Sequence, residues 1–136
     1  MEFVTNKFKV RYHESDQMGF VHHSNYLKYF EKARIDWLDS IGFSYSEIEK
    51  TGIILPVVSA KIKFIYPAFF GDKLKIKLTV SSPPTVKIDF NYVVFNQDEK
   101  IIATGDTRIA FLDSNLRKPI RCPREISEKI LDIQNP

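Results

Sequence analysis

The side chains best suited to proton chemistry gather in one short stretch, Arg11 to Tyr26, which holds His13, Glu14, Asp16, His22 and His23. Asp16 stands in a polar segment, Gly19 follows three residues later, and a helical pattern begins near Ser24. Free N–H groups at a helix start carry partial positive charge and can hold a developing oxyanion. A carboxylate beside them can activate water or attack a carbonyl itself. The combination suits acyl transfer. Gly19 lets the backbone turn tightly or lets a substrate approach it. On spacing alone the plainer reading is stronger, because Asp-x-x-Gly commonly forms a turn in which the Asp side chain bonds its own backbone.

The elements that must position these residues are legible from periodicity. Residues 3–12 alternate, with Val4, Asn6, Phe8, Val10 and Tyr12 on the more apolar side, and predict a strand. Residues 13–23 predict a loop. Residues 24–41 predict a helix, since Tyr26, Phe30, Ala33, Trp37 and Ile41 recur at three- and four-residue steps, widened by Leu27 and Leu38. Ser24 or Asn25 is its expected N-cap, and Gly42 stands where a left-handed residue ends a helix. Strands are predicted over 58–66, 73–80, 86–94 and 101–112, separated by Pro67, Gly71-Asp72, Pro83-Pro84 and Asn96-Gln97-Asp98. A short helix follows at about 124–132. Strands joined by short turns imply an antiparallel meander. A lone long helix must be covered by that sheet, so the predicted class is α+β, with a curved sheet around one helix. Phe95, Ile102 and Ile65 are expected on the sheet's other face, as apolar surface that hints at an oligomer.

Composition narrows the classes. The length of 136 residues suits one domain, and 43% hydrophobic with 27% charged residues is an ordinary folded balance. The single cysteine, Cys122, excludes an intrachain disulfide and fits a reducing cytoplasm. The polar-interrupted first residues are not a signal peptide, and no apolar run reaches the ~20 residues of a membrane helix. A net charge of +3 is not the mark of a nucleic-acid binder; it suits an anionic substrate and simple solubility equally.

The order of motifs along nearly the whole chain resembles the 4-hydroxybenzoyl-CoA thioesterase family, close to its Tol-Pal-associated branch. The matching segments are Asp16-x-x-Gly19 through Asn25-Tyr26, then Tyr29-Phe30-Glu31-Lys32-Ala33-Arg34. Leu55 to Ala60, Tyr66 to Asp72, and Lys118 to Arg121 with Pro123 and Ile126 complete the set. The resemblance implies a hotdog fold of about five antiparallel strands around one helix. It implies a homodimer or homotetramer paired through sheet edges, with active sites between subunits. It implies acyl-CoA hydrolysis without added cofactor, CoA being part of the substrate. Asp16 would be general base or nucleophile, and the His23 amide the oxyanion donor, with a possible assisting role for the His23 side chain. Gly19, Val21, Asn25, Tyr26 and Ser59 would shape the substrate site. Arg117, Lys118 and Arg121 would meet the CoA phosphates. The turn after the second long strand, Ser81 to Thr85, lacks the arginines some members carry.

Rival readings attach to several of these residues. A hydratase or dehydratase would pair Asp16 with His23, and a non-catalytic acyl-thioester-binding dimer would use neither. A metal at His13, His22, His23, Glu14 and Asp16 is disfavoured because adjacent histidines should point differently. Glu31 fits an ordinary helix pair with Arg34. Lys73, Lys75 and Lys77 fit a solvated strand face, and Cys122 has no base beside it.

Overall fold

The computed structural model describes residues 1–134. Its long helix, α1 (Asn25–Ser40), lies against an antiparallel sheet built from β1 (Glu2–Val4), β2 (Phe8–Lys9), β4 (Val57–Phe64), β5 (Lys73–Thr79), β6 (Lys87–Phe95) and β7 (Ile101–Ala110). The strand order is β1–β5–β6–β7–β4, with β2 also on β5. Two-residue strands β3 (Ile53–Ile54) and β8 (Leu112–Asp113) form a separate ribbon. Helices α2 (Tyr45–Lys50) and α3 (Arg124–Gln134) complete the chain. The predicted plan of one helix against an antiparallel meander is the one observed.

Within β5 and β6 the alternation holds as read: Leu74, Ile76, Leu78, Ile88, Phe90, Tyr92 and Val94 are buried. The lysines between them face outward, where Lys75 pairs with Glu99 and Lys77 with Glu2. Such surface pairs contribute little, about 0–1 kcal/mol each.

The first predicted strand breaks in two. Val4 pairs with Lys77 but Phe8 pairs with Leu74, so one extra residue lies between them. A one-residue slip exchanges the two faces. Phe3 and Thr5 therefore point inward before the slip, and Phe8 and Val10 after it. Val4 and Tyr12, expected on the apolar side, are exposed. Thr5 holds the irregularity: its amide donates to the Ile76 carbonyl, and its hydroxyl accepts from the Ile76 amide.

A second slip, between Val94 and Phe95, corrects the expected outer face. Ile102 is fully buried, and its carbonyl accepts from the amides of both Ile65 and Tyr66. Two further corrections concern helices. Leu27 is exposed on α1 instead of widening its buried face. Helix α2 was not predicted, although Ser44-Tyr45-Ser46-Glu47 carries a capping signature and Ser44 Oγ accepts from the Glu47 amide. The fourth long strand ends at Ala110, and Leu112 turns away into the β3–β8 ribbon.

The edge strand β4 is exposed along nearly its whole length, with Val58 at 56% and Phe64 at 55%; only Ile62 is partly covered. The apolar residues that alternate along this strand are thus left uncovered by the rest of the chain.

Helix and sheet meet most closely at Phe30. Its ring stacks on Tyr92 with centroids 4.1 Å apart and planes within 5°. Gly105, the β7 partner of Tyr92, leaves room for that ring. A Cβ on Gly105 would stand 2.7 Å from Phe30 Cε2 and 2.7 Å from the Lys61 carbonyl oxygen. We therefore expect Gly105→Ala to destabilise the fold by about 1–3 kcal/mol, the usual cost of overpacking. Thermal unfolding should show a melting temperature lower by roughly 5–15 °C, and adding Phe30→Leu should recover part of the loss. An unchanged melting temperature in the single variant would show that the ring and strand can move apart freely.

Candidate functional site

Asp16 sits in a loop that folds back on itself. Its amide donates to the Phe20 carbonyl, and the Gly19 amide donates to the Asp16 carbonyl. Gly19 adopts φ 86°, a left-handed conformation that suits glycine. The Asp16 side chain completes the turn: Oδ1 accepts from the Met18 amide at 2.9 Å and from the Phe20 amide at 3.2 Å. No described donor reaches Oδ2. The carboxylate thus builds the turn with one oxygen and leaves the other free.

The loop is tied to the fold at both ends. Val21 donates to the Ala68 carbonyl and His22 to the Glu14 carbonyl. Asn25, nearly buried, donates from Nδ2 to the same Glu14 carbonyl at 2.9 Å. Phe20 and Phe69 rings meet edge to face, 5.7 Å apart.

The helix entry differs from the predicted cap. Ser24 has helical backbone angles, and its side chain bonds no helix amide. His22 serves instead: its Nδ1 accepts from the Ser24 amide at 3.2 Å and lies 2.8 Å from Ser24 Oγ. The Asn25 amide donates to the His22 carbonyl, and the Tyr26 amide to the His23 carbonyl. The His23 amide donates to no acceptor among the described residues, so it stands free at the positive end of α1. The His22 and His23 rings do not point apart; they lie 4.1 Å from each other at 33°. Among the described residues no group of three His, Cys, Asp or Glu side chains could hold a metal ion.

Asp16, Val21, His23 and Tyr26 line one groove of about 390 Å³, whose far wall is Phe64 to Pro67. Burial pushes the Tyr26 phenol up to about 12, and burial followed by the charge of Glu14 pushes Tyr29 higher still. Both hydroxyls stay protonated at neutral pH. No hydrogen bond joins Asp16 to His23. Gly19 lies with Asp16, Ser15 and Gln17 on a second opening, lined also by the exposed rings of Tyr12 and Phe70.

The remaining predicted site residues lie elsewhere in the chain. Tyr26 packs against Phe64, at the end of β4, with centroids 5.4 Å apart. Ser59 and the segment after β7 belong to the opposite end, because Val57 pairs with Ile109 and Phe64 with Ala103. The seven steps of β4 span roughly 23 Å at about 3.3 Å each. Arg117, Lys118 and Arg121 are exposed beyond β8. Asp113 shapes their turn, its Oδ1 accepting from the Asn115 and Leu116 amides. One chain therefore does not bring Ser59 or these cations to Asp16. Cys122 is buried nearby, and burial pushes its thiol up to about 12, leaving little nucleophilic thiolate at neutral pH.

Sequence reasoning missed Phe64, Ile65 and Tyr66 as groove residues. Their signal was an apolar strand end beside Pro67, which also fits a core strand.

Residues 10–130 match the model of the thioesterase-like superfamily. The chain is 32% identical over 133 residues to the acyl-acyl carrier protein thioesterase ATL3 of Arabidopsis thaliana, covering 96% of this chain and 68% of that one. Among solved structures, the DHNA-CoA thioesterase of Staphylococcus aureus superposes with a TM-score of 0.92 at 32% identity, covering 98% of this chain and 91% of that one. Slr0204, a 1,4-dihydroxy-2-naphthoyl-CoA thioesterase from Synechocystis, superposes with a TM-score of 0.90 at 25% identity over the full length of both chains.

Proposed function

Because this chain belongs to the thioesterase-like superfamily and is a hotdog-fold enzyme that hydrolyses acyl thioesters, we propose that Asp16 drives its reaction. The observation that carries this reading is the split carboxylate: Oδ1 is held by two amides, Oδ2 accepts from no described donor, and Asp16 lines one groove together with His23, whose amide has no acceptor among the described residues.

In the proposed step Oδ2 takes a proton from water, and the hydroxide adds to the thioester carbonyl carbon. The carbonyl oxygen becomes an oxyanion that the His23 amide, a donor without a protein acceptor among the described residues, would stabilise. Collapse breaks the C–S bond, and the CoA sulfur receives the proton from Asp16. Direct attack by the same oxygen would depend on Asp16 equally. Gly19, Val21, Asn25 and Tyr26 shape this end of the site. The hydratase reading is weaker, because no hydrogen bond pairs Asp16 with His23.

Within the superfamily we place the chain nearest the 4-hydroxybenzoyl-CoA thioesterase family and its Tol-Pal-associated branch, on its Asp16 to Tyr26 motif. A cytoplasmic location is supported by the single unpaired cysteine. Among the described residues no helix is long and apolar enough to cross a membrane.

We further propose that two copies pair through their β4 edges. The exposed apolar side chains of β4 support this, as do its unpaired edge groups. A two-fold axis across β4 would run the two strands antiparallel. The Val57 end of one copy would then lie beside the Phe64 end of its partner. That arrangement would carry Ser59, Arg117, Lys118 and Arg121 toward the partner's Asp16.

Three measurements test these proposals. Asp16→Asn keeps the turn-forming oxygen and removes the base, so turnover should fall by about a hundredfold or more. The melting temperature and substrate affinity should change little. Wild-type turnover in the folded variant would remove Asp16 from the mechanism. Sedimentation at micromolar concentration should show twice the chain mass or a multiple of it, and a monomer would exclude the shared site. Neutralising Arg117, Lys118 and Arg121 together should raise KM several-fold for acyl-CoA at low salt, and less at high salt where exposed charges are screened. Equal losses on a thioester lacking the nucleotide would place these residues outside the CoA site.

A further inference from the structure

Asp16 stands on one arm of a small hairpin, and His23 directly follows the other arm. Ser15 bridges Val21 antiparallel, and the Asp16 amide donates to the Phe20 carbonyl. The hairpin closes at Glu14, whose carbonyl accepts from the His22 amide at 2.8 Å and from Asn25 Nδ2 at 2.9 Å. One oxygen atom thus joins the Asp16 arm to the residue before His23 and to the first residue of α1. The Glu14 side chain fixes that carbonyl in turn. Its Oε1 accepts from the Arg11 amide at 2.8 Å, while the Glu14 amide donates to the Arg11 carbonyl at 3.0 Å. This reciprocal pair closes the turn Tyr12–Glu14 and leaves the Glu14 peptide little freedom to rotate.

A buried hydroxyl lies beside this turn. Tyr29, only 4% exposed, packs its ring against Phe8 and Tyr26, with centroids 5.1 and 5.7 Å away. Its hydroxyl makes no hydrogen bond of good geometry with any described residue. Burial, and then the charge of the neighbouring Glu14 carboxylate, push this phenol up, so a protonated donor stands beside an acceptor. No described donor occupies Glu14 Oε2. Buried hydroxyls are seldom left unpaired.

We infer that Glu14 is a positioning residue for thioester hydrolysis, with the Tyr29 hydroxyl donating to its Oε2 through a bond that rotation of the two side chains completes. Together they set the separation between the Asp16 carboxylate and the His23 amide without touching substrate. The inference rests on the reading of Asp16 as the group that drives the reaction. Separation matters because misplacing reacting groups by about 1 Å can slow a reaction on the order of a hundredfold.

Kinetics with the fastest substrate among butyryl-, decanoyl- and benzoyl-CoA separate positioning from support of the fold. Glu14→Ala should lower kcat on the order of tenfold or more and leave KM within about twofold. Glu14→Gln keeps an acceptor for the Arg11 amide, so it should retain roughly a third or more of wild-type kcat. Tyr29→Phe should lower kcat roughly threefold in the wild-type background and not at all in Glu14→Ala, because the two groups act through one bond. Amide hydrogen exchange followed by NMR is independent of turnover. In Glu14→Ala the His22 amide should exchange roughly tenfold faster while the amides of β6 stay protected.

Wild-type kcat in folded Glu14→Ala, with Asp16→Asn slow, would overturn the inference. So would an equal loss in Glu14→Gln and Glu14→Ala, or faster exchange throughout β6 as well as at His22. Should Glu14→Ala fail to fold, Tyr29→Phe decides: an unchanged kcat with a raised melting temperature would mark the hydroxyl as unpaired and overturn the pairing. Wild-type turnover in Asp16→Asn, or no hydrolysis of any of the three thioesters by the wild-type protein, would instead remove the reading on which the inference rests.

Discussion

The placement of α1 depends on one close contact, the Phe30 ring stacked on Tyr92 over Gly105. Stacking at 4.1 Å requires the helix to approach the sheet more closely than side chains on both surfaces would allow. The glycine supplies the missing depth on β7, and β6 supplies the aromatic surface. The contact also has a polar side, because the Tyr92 hydroxyl accepts from Arg34 at 3.0 Å and bonds Thr107. Those partners satisfy a hydroxyl whose unpaired burial would cost about 1–3 kcal/mol. Fixing α1 at its middle fixes both of its ends. Its N-terminus meets the Asp16 loop, and its C-terminal half sets Trp37 edge to face on Phe90 of β6.

What was legible in the sequence follows from what each residue must satisfy within its own neighbourhood. Strands β5 and β6 announced themselves because apolar residues alternate with lysines in β5 and with Lys87, Asp89 and Asn91 in β6, the pattern of a half-buried strand. The helix was legible for the same reason at a different period. The two register slips were not legible. A slip adds one residue without changing composition, and only the partner strand reveals it. That is why Val4 was assigned to the wrong face and why Ile102 was expected outside, whereas Tyr12 is exposed because the chain has left the strand for a 3-10 turn at Tyr12–Glu14. β4 was read as a strand over 58–66 and is one over Val57–Phe64. Its alternating apolar residues are real, but the surface that would cover them is not in this chain.

The Asp16 loop was found from the sequence, yet its construction was not. Ser24 was the natural cap by residue type, but the imidazole of His22 reaches the amide first and leaves Ser24 to bond that ring. Asn25 then carries a second connection, from the helix start to the Glu14 carbonyl across eleven residues of chain. Such links depend on where a loop lies in space, and residue spacing cannot supply that. The cations were found by resemblance, and the fold places them at the far end of β4. Only the register of β4 on β7 shows that separation, since Val57 lies opposite Ile109 and Phe64 opposite Ala103.

The turn and the chemistry were opposed as readings of Asp-x-x-Gly; the structure shows the turn, and its geometry leaves room for the proposed chemistry. An aspartate used only to close a turn would serve as well with an amide in place of its second oxygen. An aspartate used only as a base would need some other group to fix its orientation, at a cost in side-chain entropy. Here the Met18 and Phe20 amides hold Oδ1, so the loop orients the carboxylate and the carboxylate orders the loop. Oδ2 is thereby set in a defined direction before any substrate arrives. The same holds at the helix entry, where His22 takes the Ser24 amide and the His23 amide is left without a protein acceptor. Asp16 Oδ2 and the His23 amide, the two groups of the proposed reaction, are what remains after the local backbone has satisfied its own hydrogen bonds. Such an arrangement needs no added scaffold, because the forces that close the turn and start the helix also bring Asp16 and His23 to the lining of one groove.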